Sequence, residues 1–317
     1  MDSSSPAPAA PPRQNLTRYA WLSIAAAIAT IGLKSGAWWL TGSVGLLSDA
    51  AESVVNLVAA LVALYALSVA ARPADGDHMF GHSKAEYFSA AIEGQMIFIA
   101  AVVILWTSAQ RFLDPQPLEN VGIGLLVSVV ASAINGLVAM VLLRAGRAHR
   151  SLTLVADGKH LMTDVWTSVG VVVGVLLVAV TGWLRLDALV AFGVGLNIIL
   201  TGWRLLQESV NGLMDHAWEA AESEELSAIL RRFTSPQVGF HGLRTRTAGH
   251  RRFAEVHVLV PGDWSVQRGH DLVEAIEAAV AAELVEVQLV CHLEPLEDPR
   301  SYGDFGAEIA VHKDAAE

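Results

Sequence analysis

Long apolar segments separated by short polar turns dominate the first two thirds of the chain. A helix needs about 20 apolar residues to span the hydrocarbon core of a membrane. Six segments reach that length, at residues 16–40, 43–71, 88–112, 119–144, 151–181 and 184–210. Because backbone polar groups in lipid must be satisfied within the segment, the pattern predicts six transmembrane helices.

After Trp218 the pattern changes to that of a small soluble domain. Apolar residues recur at helical spacing in residues 223–235 and 265–284. Apolar and polar residues alternate as in strands in 240–249 and 251–262, and residues 285–295 form a last predicted strand. The order αββαβ predicts a three-stranded sheet with two helices on one face. The expected organisation is a disordered tail (1–15), a membrane all-α six-helix bundle (16–212), a small α+β domain (213–297) and a flexible C-terminal tail (298–317).

Composition supports the membrane assignment. Hydrophobic residues make up 53% of the chain and charged residues 17%, compared with about 25% charged in soluble domains. The net charge of −11 comes largely from the acid-rich C-terminal part and argues against nucleic-acid binding. The single cysteine, Cys291, excludes an internal disulfide framework and a cysteine-rich zinc site.

Basic residues in the short loops predict the orientation, since cytoplasmic loops are enriched in Lys and Arg. With the N-terminus inside, the outside loops hold Arg111 and Arg185. The inside segments hold seven basic residues, namely Arg13, Arg18, Arg72, Lys84, Arg144, Arg147 and Arg150. Both termini and the soluble domain are therefore expected in the cytoplasm.

Ionisable side chains within two predicted helices suggest a metal site, because such groups in a bilayer are costly and commonly functional. In the second helix Glu52 and Asn56 are one turn apart, and in the fifth His160 and Asp164 are one turn apart. Two such helices in contact would offer oxygen and nitrogen ligands that suit Zn²⁺, with Cd²⁺, Co²⁺, Fe²⁺ and Mn²⁺ as competitors.

Two further acids, Asp49 and Asp157, share these helix faces but lie nearer the helix ends. For them a hydrating or gating role is as plausible as direct ligation, and Asp49 is a candidate auxiliary ligand. The alternative for all the acids is structural, namely helix-end positions or ion pairs with Lys34.

Four stretches resemble the cation diffusion facilitators, in particular their bacterial zinc/iron efflux branch. They are TGSVGLLSDAAESVVN, PADGDHMFGHSKAEYF, VADGKHLMTD and HGLRTR, in order along the chain. The resemblance implies a six-helix, homodimeric, proton-coupled exporter of Zn²⁺ and related ions in a bacterial inner membrane. It also implies a cytoplasmic domain with a copper-chaperone-like fold.

By position, the family's intramembrane site falls on Glu52, Asn56, His160 and Asp164, with His160 and Asp164 also serving proton coupling. The branch usually has Asp or His and then Asp where this chain has Glu52 and Asn56. The amide of Asn56 cannot ionise. This difference from the family pattern leaves open which metal is transported and how many protons are exchanged for each ion.

The resemblance implies two further metal sites and one charge pair. A loop site falls on Asp75, His78 and His82, with Asp77 as a possible auxiliary, where the alternative is a solvated polar loop. A cytoplasmic site falls on five residues, namely His241, His257, His270, His292 and Glu294. Lys84 and Asp215 match a charge pair between subunits, where the alternative is two unrelated surface charges.

The expected function is therefore export of divalent cations, most simply Zn²⁺, in exchange for protons. It needs no enzymatic activity and no nucleic acid, and zinc would also act as a structural or regulatory ion. A membrane metal sensor remains an alternative. A membrane metallohydrolase is disfavoured, since the chain contains no HExxH motif.

Overall fold

The computed structural model describes residues 15–41, 44–115, 121–284, 286–303 and 308–311, without the side chains of 41, 44–49, 121–125, 175 and 179. The chain divides into two compact units that meet in sequence near Gly212. Each unit has its own buried apolar core.

Six long helices form the first unit. They are α1 (Thr17–Thr41), α2 (Val44–Ala70), α3 (Ala85–Leu113), α4 (Val121–Ala148), α5 (Leu152–Thr181) and α6 (Arg185–Leu213). All six are long and apolar enough to cross a membrane. This confirms the predicted six-helix bundle, and the helix ends differ from the predicted ones by a few residues.

Small residues let these helices approach closely, as is usual in membrane bundles. One buried cluster joins α1, α2, α4 and α5, and it includes Ala20, Leu67 and Leu142. A second cluster joins α3 and α6 to Ala156 of α5. Helices α3 and α6 meet so closely at Gly202 that a Cβ there would lie 2.9 Å from the backbone nitrogen of Phe98.

The second unit is the C-terminal domain, with α7 (Ala220–Arg231), β1 (Gly239–Ala248), β2 (Arg251–Val260), α8 (Val266–Glu283) and β3 (Val287–Pro295). Its sheet has the order β1-β2-β3, with β1 antiparallel and β3 parallel to β2. The predicted αββαβ order is confirmed. Gly249 has a positive φ of 61° in the turn between β1 and β2, a conformation that glycine adopts without strain.

The segment expected as a loose tail from Asp298 makes several contacts with this domain. A short 3-10 helix spans Pro299–Tyr302. Further on, the Ile309 N–H donates to Leu243 O at 2.8 Å, and Val311 is buried in the domain core. The predicted flexible tail did not include these contacts, because Ile309 and Val311 find apolar and hydrogen-bonding partners that only the folded domain provides.

Candidate metal transport site

Helices α2 and α5 bring the predicted transport residues together within the bundle. Asn56 and His160 are buried, with 5% and 6% of their surfaces exposed. The spacing of one turn on α5 turns His160 and Asp164 to the same face, toward Asn56 of α2. Three of the four proposed ligands form one hydrogen-bonded group.

Asn56 lies at the centre of this group. Its Nδ2 donates to Asp164 Oδ2 at 2.5 Å, and its Oδ1 lies 2.9 Å from His160 Nε2. Because the amide oxygen only accepts hydrogen bonds, the imidazole proton must lie on Nε2. His160 Nδ1 is then left as a buried acceptor without a hydrogen-bond partner among the described residues.

Two residues that the sequence interpretation left out of the site extend it. Asn135 of α4 is buried and donates from Nδ2 to the same Asp164 oxygen at 3.2 Å. Lys34 of α1 acts electrostatically on Asp164. Asn135 could have been noticed as an amide within an apolar segment, but its contact with α5 depends on helix packing.

Glu52 and Asp49 have different positions from the central group. Glu52 lies one turn before Asn56, is exposed, and acts on His160 through its charge. Asp49 belongs to α2, but its side chain lies outside the described residues. Their roles as ligands therefore stay predictions.

Two further acids are buried in the bundle. Asp157, one turn before His160, is 1% exposed and accepts a hydrogen bond from Ser23 Oγ at 3.1 Å. Glu93 of α3 is fully buried and accepts from Ser89 Oγ at 3.3 Å. The sequence interpretation overlooked Glu93, although an isolated acid in an apolar segment was a usable signal.

The loop between α2 and α3 brings Asp75, His78 and His82 together, with one ligand atom from each within 4.8 Å of the others. Asp75 is their common partner, at 3.3 Å from each imidazole. His82 Nδ1 faces the carbonyl of Pro73 at 3.2 Å, so its proton lies there and Nε2 is left to bind a cation. Asp77 contributes its backbone N–H to Asp75 at 3.1 Å.

Hydrogen bonds also set the charge state of this loop. Backbone N–H donation from His78 is the main cause that holds the pKa of Asp75 below its ordinary value. The ionised carboxylate suits a cation, and its exposed position allows an ion to arrive hydrated.

The C-terminal domain contains a second cluster, formed by His241, His257 and Glu294. His241 and His257 are paired across β1 and β2, and His257 is paired with His292 across β2 and β3. Glu294 Oε2 lies 2.9 Å from His241 Nε2 and 3.1 Å from His257 Nδ1. Imidazole nitrogen and carboxylate oxygen form a donor set that fits Zn²⁺.

The electrostatics of this cluster favour an ionised acid. Burial alone would raise the pKa of Glu294, but hydrogen bonds from His241 and His257 outweigh it and hold the pKa below its ordinary value. His292 is mostly exposed and lies at 3.6 Å from Glu294. His270 of α8 is 3.7 Å from Glu274 and is not one of the three clustered residues.

The predicted charge pair falls on two different units of the chain. Lys84 immediately precedes α3, and Asp215 follows α6. Within the C-terminal domain, Asp215 Oδ1 accepts from Arg246 Nη1 at 3.2 Å. The Lys84–Asp215 pair between subunits stays a prediction.

Comparisons with known proteins match both units of the chain. A model of the cation efflux transmembrane domain matches residues 20–214, and a model of the cation efflux protein cytoplasmic domain matches residues 218–296. An uncharacterized transporter of Synechocystis sp., sll1263, is 54% identical over 284 residues, which are 90% of this chain and 92% of the relative.

Two further relatives are similar over different lengths. The cation-efflux pump FieF of Salmonella arizonae is 31% identical over 280 residues, or 88% of this chain and 93% of the relative. The solved metal-bound C-terminal domain of the CzcD transporter from Thermotoga maritima is 28% identical. The match covers 26% of this chain and 99% of the CzcD domain, with a TM-score of 0.24. With a family model over most of the chain, this protein belongs to the cation diffusion facilitator family, membrane transporters that carry out divalent metal efflux.

Proposed function

We propose that the protein exports Zn²⁺ from the cytoplasm in exchange for protons, by alternating access to a site at Glu52, Asn56, His160 and Asp164. The hydrogen-bonded group of Asn56, His160 and Asp164 is the observation that carries the proposal. Two helices there hold an amide oxygen, an imidazole and a carboxylate within reach of one another.

The proton exchange follows from the chemistry of these groups. A cation binds neutral imidazole and ionised carboxylate, so metal and protons compete for the same atoms. Imidazole is the side-chain group whose ordinary pKa lies nearest physiological pH, which makes His160 the best candidate for the exchanged proton, with Asp164 as its partner. Metal binding must also replace the hydrogen bonds that Asn56 makes to both residues.

The other clusters have supporting roles in this proposal. Asp75, His78 and His82 would capture a hydrated ion at the membrane surface and pass it inward. The cluster of His241, His257 and Glu294 would bind a regulatory or structural Zn²⁺ in a cytoplasmic domain, completed by His292 and His270. A homodimer, joined by a Lys84–Asp215 pair, would have both termini in the cytoplasm of a bacterial cell.

The test is metal flux in proteoliposomes that contain the full chain, with and without an imposed pH gradient. We expect the wild type to move Zn²⁺ faster than Cd²⁺, Fe²⁺, Co²⁺ or Mn²⁺ and to move protons the other way. His160→Ala should abolish coupled flux. The matched control is His216→Ala, since His216 is exposed and lies outside the three proposed sites. Wild-type zinc flux in His160→Ala under a proton gradient would overturn the assignment.

A further inference from the structure

A segment beyond the matched cytoplasmic domain lies beside the cluster of His241, His257 and Glu294. The family model of that domain ends just after β3. The chain continues in contact with the same domain through residues 298–303 and 308–311, which we call the C-terminal segment. Its hydrogen bonds include four to the residues that directly follow two of the clustered side chains, one on β1 and one on β3.

The contacts on β1 hold a bulge in that strand. The pairing of β1 with β2 shifts register directly after His241, where Gly242 and Leu243 form the bulge. Glu308 Oε2 accepts from the Gly242 N–H at 2.5 Å, and the Ile309 N–H donates to Leu243 O at 2.8 Å. Backbone groups that the bulge turns out of the β1–β2 ladder therefore bond to the C-terminal segment.

The bulge also lies against the second imidazole of the cluster. Gly242 has a positive φ of 63°, which glycine adopts without strain, and a Cβ there would lie 3.3 Å from Cδ2 of His257. His241 immediately precedes this glycine and pairs with His257 across the two strands. The backbone of the bulge thus helps to set the position of one imidazole relative to the other. Glu308 holds that backbone and so acts on the geometry of the cluster.

The contacts on β3 lie at the end of the strand, just past the carboxylate of the cluster. Ser301 Oγ donates to Pro295 O at 2.8 Å, and Tyr302 Oη donates to Leu296 O at 2.9 Å. The ring of Tyr302 also lies near the ring of His241, with 6.1 Å between their centroids. One 3-10 turn therefore contacts both the end of β3 and an imidazole of β1.

The far end of the C-terminal segment is anchored in the domain. Val311 is 3% exposed and belongs to the apolar core together with Leu243 of the bulge. Its carbonyl oxygen accepts from Arg231 Nη1 of α7 at 3.0 Å. This burial holds Glu308 and Ile309 next to β1, so the docked segment and the bulge form one packed unit.

Glu308 does not belong to the ligand group itself. Among the described residues of this domain, the ligand atoms that lie within 4.8 Å of one another come from His241, His257 and Glu294. The carboxylate of Glu308 is used on the Gly242 N–H instead. Its role is therefore one of positioning, through the residue that follows a ligand.

We propose that the C-terminal segment supports the cytoplasmic metal cluster, so that docking of the segment and binding of a divalent cation stabilise each other. This coupling rests on the proposed zinc site of the same domain. Coupling between two binding events is reciprocal: each changes the equilibrium of the other by the same factor. The metal level in the cytoplasm would then set how firmly the segment is docked.

Hydrogen exchange of the full chain with and without Zn²⁺, read by mass spectrometry, tests the coupling. The amides of Gly242 and Ile309 donate across the contact, so their exchange reports docking, whereas the peptide that contains His257 reports cation binding. We expect Zn²⁺ to slow exchange at all three places, by roughly threefold or more at Ile309. Slower exchange around His257 with no change at Ile309 would overturn the coupling alone. No change anywhere in the domain would overturn its zinc site as well.

Two substitutions separate positioning from general support of the fold. Glu308→Ala removes the acceptor of the Gly242 N–H, whereas Glu308→Gln keeps an acceptor oxygen. We expect the Zn²⁺ concentration that half-protects the His257 peptide to rise roughly fivefold to twentyfold in Glu308→Ala, and much less in Glu308→Gln. The matched control is Glu225→Ala, at an exposed position of α7, which should leave this concentration unchanged. Equal concentrations in Glu308→Ala and the wild type would contradict the positioning role.

Discussion

Replacing Asn56 with aspartate is the most direct way to test how the transport site works. The substitution keeps the size of the side chain but exchanges an N–H donor for a negatively charged oxygen. Asn56 donates to Asp164 at 2.5 Å and lies 2.9 Å from His160 Nε2. Asn56→Asp therefore removes the hydrogen bond to Asp164 and sets two carboxylates against each other.

The magnitude follows from the contact between the two groups. Two unit charges about 4 Å apart repel by about 4 kcal/mol at an effective dielectric constant of 20. This is close to the cost of holding a proton on a carboxyl group near neutral pH, so the metal-free variant should keep one proton between the two acids. A dication reverses the sign of the interaction. After desolvation and proton loss, we expect Zn²⁺ to bind roughly tenfold to a hundredfold more tightly, or about 1.4–3 kcal/mol.

Isothermal titration of Zn²⁺ into the purified full chain measures both effects. Runs in buffers with different ionisation enthalpies give the number of protons released with each ion. We expect Asn56→Asp to release about one proton more than the wild type, and its gain in affinity to grow as pH rises.

The matched control is Asn211→Asp, the same change at an exposed position near the end of α6. It should leave both quantities as in the wild type. Equal affinity and equal proton release in Asn56→Asp and the wild type would show that Asn56 does not contact the transported ion.

Three other predictions concern the loop and the C-terminal domain. His82→Ala should raise the KM for Zn²⁺ flux with kcat retained, because the loop would only deliver ions, whereas Met79→Ala in the same loop should change neither. Val311→Ala should destabilise the C-terminal domain by roughly 2 kcal/mol in thermal unfolding, since Val311 is 3% exposed in its core. Hydrogen bonds from Arg300 hold the pKa of Asp298 at about 2. This depressed value stabilises the fold above the ordinary pKa of 3.8, and the contribution is lost as pH falls toward about 2. Asp298→Asn should remove that part of the acid dependence of unfolding, and an unchanged pH profile would contradict the assignment.

The architecture was largely predictable because each unit has a strong periodic signal. Six apolar segments specify six helices. Two runs of alternating apolar and polar residues, joined by a turn that contains glycine, specify the β1–β2 hairpin. The contact of Asn56 with His160 and Asp164 could also be predicted from the sequence. Polar residues one turn apart on each of two helices leave few ways for those helices to pack.

What the sequence could not predict depends on contacts between distant segments. Glu93 is one of two acids on α3, with Glu86, and only helix packing buries both of them. Asn135 becomes part of the site only because α4 contacts α5 at Asp164. In the sequence, Ile309 and Val311 are ordinary residues of a polar tail. Their contacts depend on the folded domain, where Ile309 pairs with Leu243 of β1 and Val311 is buried in the core.

The two buried clusters of the bundle have a mechanical consequence. Helices α1, α2, α4 and α5 share one core, and they carry Asn56, His160, Asp164 and Asn135. Helices α3 and α6, in close contact at Gly202, share the other with Ala156 of α5. Helix α5 therefore contributes to both clusters, and it also carries His160 and Asp164. Any sliding of α3 and α6 along the other four helices must repack Ala156, one turn before His160, so displacement of these two helices is transmitted to the helix that bears two of the proposed ligands.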